Sequence, residues 1–598
     1  MQFKEFSLYL ARLEALSARL EMTVVLAELF TQLEGDEVAL ASYLLEGRLV
    51  PQYKSLEFQL SIKMLIRSLA RLLPAPQQAQ AAAGLDLFGE EDWQSRETFV
   101  LAEYKKLGDI GAVAEAVLQT VAHEQGTSPL SIGDVYSRLT AIAEDSGEGS
   151  QERKVGALGV LLKNLDPLSS RYVARIIMGS MRLGFSTMTL LDALSWAMTQ
   201  SKGESILLES AYQKKSDIGK LAQTYLAEKD ATRRKQALAD YSVETGVPVT
   251  PQLCQILGSS EEVIEKMSVV VVEPKYDGLR VQIHINKHTS SSTGPEVRVY
   301  TRNLEDASHM FPELSALVPL IRAESVILDG EAIGYDKNTG ALLPFQETIT
   351  RKRKHDIAEV AQSVPLKFFI FDVIAIAGES LLVTPLQERK NRLKDLFTPN
   401  EQFSQTEYIV TTDPKELQTF HNLQLAEGLE GVVIKAIDSP YQSGRKGWYW
   451  VKMKHAEGEK GKLKDTLDCI VMGYYFGRGK RTTFGIGAFL VGVLTDDGAV
   501  VTIAKIGTGI TDEVLAELKS RCDELKVAEK PALYTVAKEL TPDVWVRPEL
   551  VVEIAADELT RSPMHSAGLA LRFPRLERLR KDKSWQDATT LALVKQML

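Results

Sequence analysis

From Met1 to about Ala239, leucine and alanine return every three or four residues with charged side chains between them, which predicts a run of amphipathic helices. Ser131-Ile132-Gly133-Asp134 has the form of a capping box opening one of them. Asp166-Pro167-Leu168-Ser169-Ser170 reads as a turn-like break, with helix resuming at Arg171. Around Thr245–Pro251 the prolines Pro248 and Pro251 predict an extended crossover and a boundary. Beyond it the period drops to two. Leu279, Val281, Ile283 and Ile285 alternate with Arg280, Gln282 and His284, the pattern of a half-buried strand. Further strands are expected at Val297–Arg302, Val326–Tyr335, Leu366–Ile374 and Gly431–Ala436, and helices at Leu386–Leu396 and Pro414–Gly428, giving an α+β domain to about His455. After the stretch HAEGEKGKLK, apolar runs at Cys469–Tyr475, Ala488–Leu494 and Val500–Ile506, with glycine turns and one helix, suit a small β-barrel.

Composition narrows the classes open to such a chain. Its 598 residues carry 70 basic against 80 acidic side chains, a net charge of −10, which argues against a uniformly cationic coat but leaves room for a local basic groove. Cys254, Cys469 and Cys522 supply neither a disulfide framework nor a four-cysteine zinc site, so a reducing, cytoplasmic compartment is expected, nucleoid-associated in a prokaryote. The N-terminal segment interleaves charges with its leucines, unlike a signal peptide, and no apolar run approaches eighteen residues. His284 and His288 lie four apart, but on a strand and a loop, so zinc is not expected. The run Arg351-Lys352-Arg353-Lys354 reads as a solvated face or a patch near nucleic acid.

The candidate chemistry lies beyond the crossover. Glu273-Pro274-Lys275-Tyr276-Asp277-Gly278-Leu279-Arg280 sets a lysine at the end of a valine-rich strand, directly before a glycine turn. Such a string also ends ordinary hairpins, so the weight falls on the downstream motifs and their order: Tyr300-Thr301-Arg302-Asn303, Leu328-Asp329-Gly330-Glu331, Phe368-Phe369-Ile370-Phe371-Asp372, Glu430-Gly431-Val432-Val433-Ile434-Lys435 and Trp450-Val451-Lys452-Met453-Lys454. On a strand Lys452 and Lys454 share a face, so two ammonium groups can meet a phosphate over the packed Val451 and Met453. Asp329 and Glu331 also share a face and are expected as hard ligands for magnesium. In this order the motifs resemble the KxDGxR nucleotidyl-transfer set of ATP-dependent DNA ligases, RNA ligases and mRNA capping enzymes.

The resemblance implies that Lys275 attacks the α-phosphorus of ATP, forming lysyl-AMP and releasing pyrophosphate. Attack needs the neutral amine, which the neighbouring cations Mg²⁺, Arg280, Lys435 and Lys452 would favour. It further implies that Glu273 helps recognise adenine and Phe371 stacks on its ring. Arg280 and Arg302 would contact ribose or phosphate, and Lys452 and Lys454 belong to the same nucleotide pocket. Glu331 and Glu430 would contact ribose or a metal, Mg²⁺ or Mn²⁺. Some relatives place an arginine six residues ahead of the first lysine of the last motif; this chain has Lys446 there with Arg445 adjacent, and either could meet the nucleotide.

The likeness extends over nearly the whole chain. Asp465-Thr466-Leu467-Asp468 through Gly477-Arg478-Gly479-Lys480-Arg481 resembles the opening of the ligase OB-fold domain, and Leu571-Arg572-Phe573-Pro574-Arg575, with Arg578 and Lys583, resembles the final motif, which orients pyrophosphate. Residues 571–583 carry six basic side chains against Glu577 and Asp582, a local +4. Leu44–Pro51 and Arg175–Gly184 resemble the DNA-binding domain of archaeal and eukaryotic-type replicative ligases, with Arg182 and the glycines suited to phosphate approach. The fold implied is multidomain: an all-α DNA-binding domain over 1–239, an α+β adenylation (nucleotidyltransferase) domain over 240–455 and a β-barrel OB-fold domain over 456–598. The function implied is sealing of 5′-phosphate/3′-hydroxyl nicks in duplex DNA, in replication, repair or recombination, through lysyl-AMP and DNA-adenylate. Nicked duplex DNA is the expected partner of a monomer with no membrane association, and a sliding clamp stays open as a second partner. An RNA ligase or capping enzyme shares the lysine chemistry but usually lacks the helical N-terminal domain. An idle DNA-binding scaffold would not need Lys275, Glu331 and Lys452. An NAD⁺-dependent ligase would need more cysteines.

Overall fold

The computed structural model describes residues 1–73, 90–120, 129–288, 295–349, 364–444, 446–454, 466–477, 485–507 and 510–597. Arg351–Lys354, the HAEGEKGKLK stretch and the basic end of the 465–481 motif lie outside them. Packing groups the chain into two compact units, one of Met1–Val25, Phe58–Ser186 and Glu459–Leu598, the other of Leu26–Glu57 and Thr187–Gly458. Among the described residues no helix is long and apolar enough to cross a membrane.

In the first unit the N-terminal part is helical. The helix Ile132–Glu144 opens on the expected capping box, Ser131 and Asp134 each accepting from the other's backbone N–H. The supposed break at Asp166–Ser170 is instead a helix start: Asp166 caps the helix Pro167–Ile177, accepting from the Ser169 N–H, and Pro167 occupies the first helical position, where no N–H is needed. That helix buries Arg175, whose guanidinium pairs with Glu14 (2.8 Å) and Asp109 (2.5 Å). Arg182, with φ of 59°, donates to the Gly108 carbonyl at 2.8 Å and lies 3.7 Å from Asp109, so its head is turned into the helical packing.

The C-terminal part of this unit is β-rich. The strands Leu467–Tyr475, Ala488–Leu494 and Val500–Ile506 are antiparallel neighbours, and Val551–Ala555 pairs with both Leu467–Tyr475 and Arg575–Leu579. One face of the sheet packs with the helix Asp512–Glu524 through Leu515, Leu518 and Cys522, the other with Tyr534, Leu540 and Ala588. A second, short helix, Leu591–Gln596, comes after the one expected. The basic final segment is balanced locally. Arg575 pairs with Asp557 (2.6 Å), Arg578 with Glu553 (2.5 Å), Arg580 and Lys583 with Asp468 (2.8 and 2.6 Å), and Lys581 with Glu517 (2.7 Å). These four carboxylates from outside the segment offset its +4.

In the second unit the helices Glu37–Leu45 and Ile218–Ala227 pack together, joined by hydrogen bonds from the Tyr43 (2.7 Å) and Tyr53 (3.1 Å) hydroxyls to Asp217. Two sheets complete the unit. A five-stranded one runs Gln255–Ile256, Trp450–Met453, Val432–Ala436, Val270–Pro274, Ile409–Thr411. The other runs Glu296–Thr301, Leu279–Asn286, Ser325–Gly334, Leu366–Ile376, Glu379–Ser380, with Phe403–Gln405 also pairing Leu366–Ile376. Val270, Val272, Val432, Ile434, Val451 and Met453 pack beneath the helices Ser260–Met267 and Pro414–Ala426. Val281, Ile283, Ile285, Leu328, Phe368 and Ile370 pack with the helix Leu386–Leu396. The opposite faces meet over Trp450, Ile327, Ile374, Tyr441 and the half-buried Phe371.

The Leu279–Asn286 strand departs from its half-buried expectation because the crossover covers its polar face. Gln282 accepts from the Val249 N–H (2.8 Å) and donates to the Val249 carbonyl (2.9 Å), and His284 Nδ1 accepts from the Gly246 N–H (3.0 Å). Burial holds the His284 imidazole neutral, its pKa pushed down to about 3, which makes it an acceptor for the crossover. His288 reaches Glu324 at 2.6 Å.

Candidate active site

Period-two geometry sorts the motif residues onto one face. With Val270, Val272, Val432, Ile434, Val451 and Met453 directed to the helix-covered side, Glu273, Lys435, Trp450 and Lys452 are left to the side that faces the second sheet. Lys275 comes immediately after the Val270–Pro274 strand. Its backbone N–H donates to the Gly431 carbonyl (2.8 Å), and the Glu430 N–H donates back to the Lys275 carbonyl (3.1 Å), so the two motifs are locked through the main chain. Gly431 has φ of +123°, and a Cβ there would stand 2.1 Å from the Met453 carbonyl oxygen; only glycine fits. Gly278 is needed for close approach, since a Cβ would lie 2.6 Å from the Ala332 carbonyl oxygen and 3.0 Å from Glu331 Cγ.

The Lys275 ammonium is ion-paired to the Glu430 carboxylate, and Lys454 reaches the same carboxylate oxygen at 3.1 Å. Burial pushes the Glu430 carboxyl up, but the Lys275 and Lys454 ammonium groups outweigh it and hold its pKa at about 2. Sequence reasoning surrounded Lys275 with cations; the structure adds this counter-ion. Glu331 is the opposite case: burial drives its carboxyl up to about 8, against the pull of Lys275 and Arg280, and the nearby charges of Asp329 and Glu430 add to the rise. Lys452 is shifted down by burial and then by Lys454 and Lys275.

Arg280 is bidentate to Asp329 (3.1 and 2.7 Å), donates to the Gln252 carbonyl (2.6 Å) and lies 3.3 Å from the Tyr441 hydroxyl, which itself donates to Asp329 at 2.7 Å. Asp329 is thus held by Arg280 and Tyr441, an engagement the shared-face expectation did not include, while its charge also acts on Glu331. The Phe371 ring lies with the Arg280 guanidinium carbon 5.5 Å and the Lys435 ammonium 4.5 Å from its centroid, and meets Trp450 edge-on at 6.0 Å. Beside it Tyr276 stacks on Phe369 at 4.2 Å. Glu273 is buried between Lys435 (2.6 Å) and Lys390, a residue no motif had marked. The signal for Lys390 was in its helix: with Arg389 it falls on the apolar stripe of Leu386, Leu393 and Leu396.

Two expected residues lie at the surface, although the charge of Arg302 still reaches Lys452 and helps to lower its pKa. Arg302 is exposed on the turn after Glu296–Thr301, and Lys446 is exposed and ion-paired with Glu209 at 2.5 Å. Arg445 lies outside the described residues. Among the described residues no group of three or more histidine, cysteine or acidic side chains is placed to hold a metal by itself. Glu331 and Glu430 nevertheless fit a hard divalent cation that takes its other ligands from water and phosphate, because a cation would offset the unfavourable ionisation of buried Glu331.

Three family descriptions match in series: "DNA ligase N terminus" over residues 2–195, "ATP dependent DNA ligase domain" over 251–454 and "ATP dependent DNA ligase C terminal region" over 482–583. A "Probable DNA ligase" of Dictyoglomus thermophilum is 38% identical over 607 residues, covering 100% of this chain and 97% of its own. "DNA ligase 2" of Thermofilum pendens is 36% identical, covering 97% and 94%. The solved structure "Pmar-Lig_PreS3" shares the fold with a TM-score of 0.53 at 16% identity, over 96% of this chain and 99% of that one. A lysine-centred, cation-rich pocket between two sheets, with these matches end to end, places the chain in the family of ATP-dependent DNA ligases.

Proposed function

We propose that Lys275 is the nucleophile of the adenylation step that this family performs before sealing a nick. The observation that carries the reading is the position of Lys275: at a strand end, tied through its backbone to Glu430 and Gly431, with Glu331, Lys452 and Lys454 around it. Lys275 Nζ forms a bond to the α-phosphorus of ATP while the bond to pyrophosphate breaks, giving lysyl-AMP; AMP passes to the 5′-phosphate of the nick, and the 3′-hydroxyl displaces it. Before attack Lys275 must leave its ion pair with Glu430 and lose a proton. Glu273 and Phe371 then serve the base, Lys452 and Lys454 the phosphates. A magnesium or manganese ion, when bound, neutralises phosphate charge, and Glu331 and Glu430 would hold it.

In this reading residues 1–239 bind DNA, 240–455 carry adenylation and 456–598 form an OB-fold that meets the duplex. Arg280 works through Asp329 to hold the pocket wall, and nucleotide contact by Arg302, Lys446 or Arg445 depends on ATP being bound. The test is sealing of matched nicked duplexes with ATP and a divalent cation. We expect closure of a DNA nick bearing a 5′-phosphate and 3′-hydroxyl. Sealing of RNA strands alone would move the chain to the RNA ligases.

A further inference from the structure

One buried cation in the pocket belongs to no motif. Lys390, at 4% side-chain exposure, takes a place on the helix Leu386–Leu396 that a leucine would fill to complete the apolar stripe. Its neighbour Arg389 pins the helix, bidentate to Asp372 (2.8 and 2.9 Å) and donating to the Ser439 carbonyl (3.0 Å). Lys390 is thereby presented to one carboxylate oxygen of Glu273, while Lys435 meets the other at 2.6 Å. The Lys390 ammonium also lies 4.7 Å from the Tyr408 ring centroid. Burying a lysine costs several kcal/mol unless it is paired, so its place here is tied to that carboxylate.

Glu273 projects from the pocket face of its strand two residues before Lys275, and its partner Lys435 stands 4.5 Å from the Phe371 ring centroid. A carboxylate clamped between two ammonium groups accepts hydrogen bonds and donates none. Where such an oxygen meets the 6-substituent of the base, a 6-aminopurine donates to it, whereas a 6-oxopurine sets a lone pair against a lone pair and leaves only its N1–H to donate. We infer that Lys390 is a positioning residue that fixes Glu273 as an acceptor and so makes the adenylation pocket select 6-aminopurine over 6-oxopurine nucleotides. The inference rests on the reading of Glu273 as the residue that faces the base. Without Lys390 one oxygen of the Glu273 carboxylate loses its partner, so the group is no longer held in one orientation and its acceptor oxygen is free to turn away from the base.

The experiment compares label transfer from α-labelled ATP and α-labelled inosine triphosphate to full-length protein cleared of AMP with pyrophosphate. In the wild type kcat/KM favours ATP. Lys390→Met is expected to lower the ATP-to-inosine ratio by about tenfold or more, Lys390→Arg to keep it within a few-fold, and Glu273→Gln, whose amide can donate, to lower it as well. Lys390→Gln serves where the methionine variant does not fold. A packing role alone would lower labelling by both nucleotides together. Unchanged selectivity in the Lys390 variants beside a shift in Glu273→Gln overturns the role of Lys390 and leaves Glu273 facing the base. Unchanged selectivity in both removes the reading of Glu273 and the inference with it. Equal use of the two nucleotides by the wild type overturns the inference without any variant.

Discussion

Glu331 and Glu430 titrate in opposite senses although both lie beside Lys275, and each leaves its own mark on stability. The Glu331 carboxyl sits at about 8 in the folded chain, above the ordinary 4.5. Between these values the folded chain keeps a proton that the unfolded chain has released, so the contribution of Glu331 to ligand-free stability falls as pH rises through this window. Glu331→Gln, which cannot ionise, should melt above the wild type at pH values over 8, with the gap narrowing towards 4.5; calorimetry without nucleotide or metal reads this directly. A gap that does not change with pH would refute the assignment. Glu430, held at about 2, contributes stability that is fully present above 4.5 and lost as pH falls towards 2. Glu430→Gln should therefore melt below the wild type at neutral pH, its deficit shrinking in acid. The same two substitutions separate structural from chemical roles, because stabilisation in Glu331→Gln would come together with a loss of labelling.

At the level of elements, the pocket depends on two motifs being joined through backbone atoms. Gly431→Ala places a methyl 2.1 Å from the Met453 carbonyl oxygen at a φ only glycine adopts readily, and should cost at least about 2 kcal/mol while lowering lysyl-AMP formation, since the shift reaches Glu430 and Lys275. Asp166→Ala, by contrast, removes one helix cap and should cost about 1 kcal/mol with labelling by ATP unchanged. Denaturant melts and label transfer on the two variants separate these outcomes; equal effects of both on labelling would contradict the backbone lock. Much of this was legible in the sequence. Period-two alternation placed the strands bearing Arg280, Phe371 and Lys452, and the motif order identified the family. The helix start at Pro167 was missed because Asp-Pro-Leu-Ser-Ser suits a turn as well as a cap, and the hydrogen bonds that decide are not in the string. The polar positions Gln282 and His284 gave a solvent-facing pattern because alternation records polarity, not burial, and they are polar to serve the buried crossover. Parity alone marked Asp329 as a metal ligand and could not show its engagement by Arg280 and Tyr441, which come from other strands and loops. Lys390 stood in plain view on an apolar stripe, yet its partner Glu273 lies over a hundred positions away.

For the whole molecule, a net charge of −10 must be reconciled with binding a polyanion. The basic final segment is offset by its own neighbours, and Arg175 and Arg182 are turned into helical packing, so DNA contact depends on other local cations or on exchange of these carboxylate partners for phosphates. Either way counter-ions are released, and binding to a nicked duplex should fall by orders of magnitude as salt rises from about 50 to about 200 mM; a flat profile in fluorescence anisotropy would count against phosphate-led binding. The most direct measurement is transfer of label from α-labelled ATP to the purified protein with Mg²⁺, beside Lys275→Ala and labelled NAD⁺, with a 5′-phosphorylated nick added afterwards. Labelling by ATP and not by NAD⁺, absent from Lys275→Ala and discharged by the nick, is the predicted result. Labelling that survives Lys275→Ala, or wild-type protein that neither takes up label nor releases bound AMP to pyrophosphate, would contradict it.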